Sequence, residues 1–293
     1  MAAAQENTAT TTNLANVEAR KIDFVSQFAT ELKALMGLLD VSRAIKKESG
    51  ADLRMVKCSV DLANTVGEGE TIPYSELSWD ELDADPITLE KYSKGVSAEA
   101  INKYGYDIAV DKSDQELVAE IAGEITDGLY TTLADDTYAL TGTASTFPAK
   151  LAKGQALIRT QFETIQKGIT GTVAFVNTDD FYNYLGDAIK DVQTAFGMTY
   201  IQNYYGYDVI FVTSKVTSGT VIATPLNNLN VYYIDPADSD FAKAGLVYQT
   251  DETGYIGIQT NGNYKTAVSE TYAVTGVKLF PEYADGIALV TTP

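Results

Sequence analysis

The chain has no histidine, one cysteine (Cys58) and one tryptophan (Trp79) among 293 residues. Without histidine, the commonest general base and the commonest metal ligand are missing. A Ser-His or Cys-His catalytic pair cannot be built within one chain. A lone thiol forms no internal disulfide, which excludes a disulfide-stapled scaffold. Cys58 sits in the alternating run Val56-Lys57-Cys58-Ser59-Val60 and reads as a small core residue of a strand. Bases are scarce too: 21 Lys and Arg stand against 40 Asp and Glu, for a formal net charge of −19. Nucleic-acid binding draws its affinity from bases neutralising phosphates, so this balance argues against it. No apolar run approaches the roughly 20 residues needed to span a bilayer. The first twenty residues lack the basic start and apolar centre of a signal peptide, so a soluble protein made in a cytoplasm is expected.

What is present begins with an Ala/Thr-rich stretch, residues 1–12, that reads as a flexible arm. Leu14, Val17, Phe24, Phe28, Leu32, Leu35 and Leu39 then recur at three- and four-residue spacings, which predicts a helix over 13–39. That helix either packs on its own chain or docks on a neighbour. Charge switches sign next. Arg20 to Lys57 holds eight bases and five acids, including Arg43, Lys46 and Lys47, whereas Asp61 to Glu90 holds nine acids and no base. The plain reading is a solvated acidic loop; the other is that opposite-signed segments of different subunits meet. Within the acidic run Gly67, Gly69, Pro73 and Pro86 block a continuous helix. Ile72, Tyr74, Leu77, Trp79 and Leu82 suggest an extended hairpin at 61–90. A lone hairpin is marginal in water, and an exposed Trp makes sense if a second molecule covers it.

Residues 113–141 give the strongest helical signal. Ser113 and Glu116 fit a capping box, Leu117, Ile121, Ile125, Leu129 and Leu133 follow at four-residue steps, and Gly142 supplies the stop. Gly123 and Gly128 inside it mark close packing or a bend. Further helices are expected at 151–168 and 179–189. Strands are expected at 171–176, 208–213, 219–224, 229–234, 245–249, 253–259, 264–274 and 286–291. No regular βαβ rhythm appears, so the fold class is α+β.

The run at 66–101 resembles the extension-loop region of tailed-bacteriophage major capsid proteins with the Hong Kong 97 type fold. The matching pieces are Glu68-Gly69-Glu70-Thr71-Ile72-Pro73, Trp79, and Val96-Ser97-Ala98-Glu99. Ala134-Asp135-Asp136-Thr137-Tyr138-Ala139-Leu140-Thr141-Gly142 resembles the end of the family's spine helix. Tyr205-Gly206-Tyr207-Asp208-Val209 and Val274 to Pro281 resemble two of its strands. The resemblance implies an N-terminal arm (1–59), an extension loop (60–96), a peripheral domain (97–150 and 239–273) and an axial domain (151–238 and 274–293). It implies a structural head protein of the virion, with no catalysis and no cofactor. Its partners would be copies of itself in hexamers and pentamers, with separate scaffolding, portal and decoration proteins, and the icosahedral shell would enclose DNA without sequence-specific binding. Contact candidates are Glu68, Glu70, Ile72, Tyr74, Trp79, Arg43, Lys46 and Lys47. Some relatives crosslink through a loop lysine. Here 61–90 has none, and Lys91 and Lys94 lie on the returning strand, so no isopeptide bond is expected.

Three other classes compete. Carboxylate pairs such as Glu68 and Glu70, or Asp135 and Asp136, could serve a glycoside hydrolase, but with 40 acids such pairs arise by chance. A tail or extracellular binding module would suit the 19 Tyr. An encapsulin-like compartment shares the shell fold.

Overall fold

The computed structural model describes residues 25–26, 28–37, 39, 44–61, 67, 74, 76–135, 139–165, 167–186, 193–195, 197–250, 253–283 and 286–293, with backbone alone at 55–61, 76–85, 107 and 195. In chain order the elements are helix α1 (residues 28–37), β1 (Ala44–Lys46), β2 (Asp52–Asp61), β3 (Glu76–Pro86), β4 (Glu90–Ser97) and α2 (Ala98–Tyr104). After a π-helical turn (Asp107–Asp111) come α3 (Lys112–Leu133), β5 (Leu140–Thr143), α4 (Phe147–Thr164), β6 (Thr172–Asn177) and α5 (Thr178–Leu185). Then follow β7 (Gln193–Ala195), β8 (Met198–Tyr204), β9 (Tyr207–Thr213), β10 (Val221–Pro225), β11 (Leu229–Tyr233), α6 (Ser239–Lys243), β12 (Ile256–Asn263), β13 (Val268–Thr275), β14 (Lys278–Pro281) and β15 (Ala288–Thr291).

A mixed sheet in the order β5-β15-β10-β6-β9-β8-β7 forms the largest layer. Its central strands are buried on both faces, which is why their sequences show no polar alternation. Val173 and Phe175 of β6 and Val209 and Phe211 of β9 join one apolar cluster, shared with α1 and α3. The intervening Ala174, Val176, Ile210 and Val212 join a second cluster with Leu151, Ile158 and Phe162 of α4 and Phe181 of α5. Gly154 lets α4 lie close: a Cβ there would stand 2.8 Å from the Tyr207 hydroxyl and 3.2 Å from Ala223. A second sheet runs β1-β11-β14, with β1 parallel to β11, and a third runs β12-β13-β4, antiparallel throughout. The fourth is the hairpin β2-β3.

The N-terminal helix packs on its own chain where it is described: Phe28, Leu32, Leu35 and Leu39 are fully buried in the larger cluster. Residues 1–24 lie outside the described residues. The long helix is real but shifted. α3 has 22 residues, on the order of 33 Å at 1.5 Å per residue, and Leu117, Ile121, Ile125, Leu129 and Leu133 face inward. It ends at Leu133, not 141. Leu140 instead starts β5, pairing parallel with Ala288 to Thr291 of β15, and Gly142 is a strand residue. The capping box does not form. The chain is already helical before Ser113, whose hydroxyl donates to the Ala109 or Val110 carbonyl, at 2.8 and 2.9 Å. The serine that does cap a helix is Ser97, which accepts from the Ala100 N–H at 3.2 Å and opens α2.

Gly123 and Gly128 mark neither close packing nor a contact: a Cβ at either would meet nothing within 4 Å. Mid-helix glycine costs about 0.5–1 kcal/mol relative to alanine. Gly123→Ala and Gly128→Ala are each expected to stabilise the chain by about that amount, seen as a higher midpoint in urea unfolding.

Candidate functional site

The longest hairpin among the described residues is β2–β3. Its register runs from Asp52 opposite Pro86, through Cys58 opposite Trp79, to Asp61 opposite Glu76, with a bulge between Arg54 and Val56. At about 3.4 Å per residue each arm extends on the order of 30 Å. The arms pair with one another, and no other described element packs substantially on them. At the base the hairpin is clamped: the Gly50 N–H donates to the Ile87 carbonyl at 2.8 Å, the Ile87 N–H to the Ala51 carbonyl at 2.9 Å, and the Leu53 and Ile87 side chains are buried in the main cluster. The expected hairpin at 61–90 is therefore corrected. Its first arm is 52–61, upstream of the acidic run, and it brings Arg54 and Lys57 into the projection, with Lys57 opposite Asp80.

Strand β4 is fastened to the start of α3. Lys94 pairs with Asp114, with side chains 16% and 9% exposed. Its ammonium also donates to Ser113 Oγ at 2.6 Å and the Val110 carbonyl at 3.3 Å. Beside it the Tyr92 hydroxyl donates to Glu124 at 2.6 Å. Burial first, then that bond and the charges of Glu124, Glu90 and Glu120, push the Tyr92 phenol well above its ordinary value.

Tyr92 also lines a groove of about 400 Å³ with Lys91, Leu246, Val247, Tyr248 and Tyr272. Its outer wall, residues 245–249, is not the strand expected from sequence. It makes a single antiparallel bridge to the sheet, Gln249 to Ile258, and leaves Leu246 and Val247 50% and 66% exposed. A second hairpin, β12–β13, ends in Tyr264, which is 98% exposed. The expected strand at 264–274 starts later, at Val268, because 264–267 form the turn.

Of the contact candidates, Tyr74 is 99% exposed at the end of the first hairpin, and Trp79 lies on β3 opposite Cys58. Glu68, Glu70, Ile72 and Arg43 lie outside the described residues. Lys46 has acids within its own chain, Asp235 at 3.0 Å and Asp238 at 3.4 Å, and the hydrogen bond to Asp235 holds its amine above the ordinary value. Lys47 stands over the Tyr232 ring at 5.8 Å. These two bases therefore anchor β1 to β11 and the loop after it. Sequence reading missed Tyr264, Leu246 and Val247. Asn261-Gly262-Asn263 just before Tyr264 has turn-forming composition, but it pairs within β12 and the turn itself is 264–267.

No protein-family model matches the sequence, and no curated protein matches it. Solved structures do match over nearly the whole chain. The capsid asymmetric unit of Cyanophage A-1(L) superposes with a TM-score of 0.54 at 13% identity, covering 87% of this chain and 91% of that one. The capsid of Cyanophage P-SCSP1u gives 0.52 at 9% identity, covering 85% and 86%. The holo-SrpI encapsulin complex from Synechococcus elongatus PCC 7942 gives 0.51 at 11% identity, covering 87% and 86%. The chain has the Hong Kong 97-like capsid fold, the mixed α+β fold shared by phage heads and encapsulin shells.

Proposed function

We propose that this chain is the major capsid protein of a tailed bacteriophage, a non-catalytic subunit that assembles into an icosahedral shell around DNA. The observation that carries this reading is the β2–β3 hairpin: two arms on the order of 30 Å long, clamped at the base, with no other described element packing substantially on them beyond it. Such a projection is stabilised by burial against another molecule, since two strands alone are marginal. In this reading residues 1–59 are the arm, 60–96 the extension loop, 97–150 and 239–273 the peripheral domain, and 151–238 and 274–293 the axial domain, except that β2, most of which falls within 1–59, belongs with the loop it pairs to. Strands β6 to β10 and β15 of the seven-stranded sheet, with α5 and most of α4, fall in the axial stretches, while β5 comes from the peripheral stretch; β12, most of β13 and α3 fall in the peripheral stretches, joined by β4 from the loop stretch. Hexamers and pentamers of the chain would meet separate scaffolding, portal and decoration proteins, in a virion assembled in a bacterial cytoplasm. The net charge of −19 suits a wall that does not grip its genome.

An encapsulin-like compartment is the second reading, favoured by the comparable similarity to the SrpI shell. Expression of the chain with its neighbouring genes separates the two. Nuclease-protected DNA inside purified particles supports the phage head, whereas particles holding a protein cargo and no DNA support the compartment. Sedimentation at rising concentration tests both, because a chain that stays monomeric at every concentration and salt contradicts either.

Particles are expected to dissociate fully to single chains on a denaturing gel. Residues 61–90 carry no lysine, the hairpin's one lysine, Lys57, lies within β2 opposite Asp80 and not in the loop between the arms, and the Lys94 amine is held by Asp114, Ser113 and Val110. A covalent ladder from mature particles would contradict this expectation.

A further inference from the structure

The β8–β9 hairpin turns in two residues, Tyr205 and Gly206, between the register pair Tyr204 and Tyr207. Both turn residues are left-handed, with φ of 52° and 80°. That is the backbone of a type I′ turn, whose favoured pair is Asn-Gly. Glycine adopts the second position freely, but a tyrosine at the first is strained. Such strain persists only where surrounding contacts hold it. Here the contacts belong to the tyrosine ring. It packs edge-on to Tyr204, with centroids 4.9 Å apart at 78°, and to Tyr184 of α5, 6.1 Å apart at 68°. The hydroxyls of Tyr184 and Tyr205 are hydrogen-bonded to each other. An asparagine would ease the backbone and lose all three contacts.

Tyr184 and Tyr205 are also open to solvent, at 41% and 44% exposed. Among the described residues, theirs is the one ring pair that joins two exposed tyrosines. The other aromatic neighbours, Tyr204 and Phe147, are partly buried beside them.

Two phenols held ring to ring are the reactants of oxidative coupling. A one-electron oxidant takes one electron from each phenol, and the two hydroxyl protons leave to water. The two phenoxyl radicals then join through the ring carbons beside the hydroxyls, and a proton shift from each joined carbon to its oxygen restores both phenols. Hydrogen peroxide, acting through a haem peroxidase, takes up both electrons and both protons and becomes two waters. Holding the rings in contact replaces a chance encounter by one already made.

We propose that Tyr184 and Tyr205 form an oxidative crosslinking site, where peroxide-driven one-electron oxidation joins α5 to the β8–β9 turn through a tyrosine–tyrosine carbon bond. The bridge closes the chain between residues 184 and 205, and it stabilises the fold by restricting the unfolded chain, as a disulfide would. It needs no second chain, so it does not depend on the assembly reading.

The test treats purified, folded protein with hydrogen peroxide and a haem peroxidase at low protein concentration. The single-chain band of a denaturing gel should gain the blue fluorescence of a biphenol and lose the mass of two hydrogen atoms. A tryptic digest should join residues 168–190 to 191–215 through Tyr184 and Tyr205. The thermal midpoint should rise by about 5 °C, as for a bridge of this span. Tyr184→Phe and Tyr205→Asn should each lose the product. The first keeps the ring, and the second suits the turn better than tyrosine, so both keep the fold. Tyr182→Phe, on the same helix, should keep the product. A product that survives in either of the first two variants, joins other tyrosines, or forms only between chains would overturn the proposal. So would a folded protein that yields none, or a bridged one with an unchanged midpoint.

Discussion

Replacing residues 55–83 with an Asn-Gly turn, so that Arg54 runs directly into Ala84, is expected to leave a folded chain that no longer closes shells. Arg54 and Ala84 are a register pair, so a two-residue loop can bridge them. The clamp below the cut survives: Gly50, Ala51 and Ile87 keep their backbone bonds, and Leu53 and Ile87 stay buried. No other described element packs substantially on the removed arms, so monomer stability should change little. Assembly should fall below detection if, as proposed, neighbouring subunits supply the hairpin's packing partners. Circular dichroism melting and negative-stain microscopy on the same sample read the two effects separately. A cut at 68–90, which the sequence alone suggests, would be a poorer test. It removes β3 and Ile87, strands β2 without its partner, and opens the core.

Lys94→Met is expected to destabilise the chain by about 3–5 kcal/mol, because it takes the ammonium away from the nearly buried Asp114 carboxylate. The loss is large because several groups converge there. Lys94 also satisfies Ser113 Oγ and the Val110 carbonyl, and it ties β4 to the first turn of α3. Replacing both partners, Lys94→Met with Asp114→Leu, should recover most of the loss, since an apolar pair of similar volume is often neutral or better than a buried ion pair. Urea unfolding of the three variants checks this. Equal destabilisation of the single and double variants would show that the ion pair is not the source.

Much of the fold was legible where one local signal dominated. The β-branched runs of β6 and β9 read as strands because nothing in them favours another state, and the acids at the start of α5 matched its dipole. The misreadings came where distant partners decide. Leu140 is in phase with the helix before it, yet it pairs with β15, some 150 residues away. Ser113 has the spacing of a capping box, but a π-helical turn precedes it and leaves no free N–H to cap. Of the hairpin, the acidic arm was visible, while its partner 52–61 carries mixed charge and was assigned to the arm region. Residues 245–249 have strand-like composition but make one bridge. Lys46 and Lys47 looked like free bases because Asp235, Asp238 and Tyr232 lie nearly 190 residues further on. Tyr264 was read as a strand residue, since no local rule distinguishes a tyrosine within a strand from one at its turn.

The central claim, that this chain builds shells by interlocking copies of itself, is tested most directly by electron microscopy of the purified full-length protein. Closed particles or capsomers with five- and six-fold symmetry are predicted, with the β2–β3 hairpin lying across an adjacent subunit. A population of single chains at all concentrations, or assemblies in which that hairpin touches no neighbour, would contradict it.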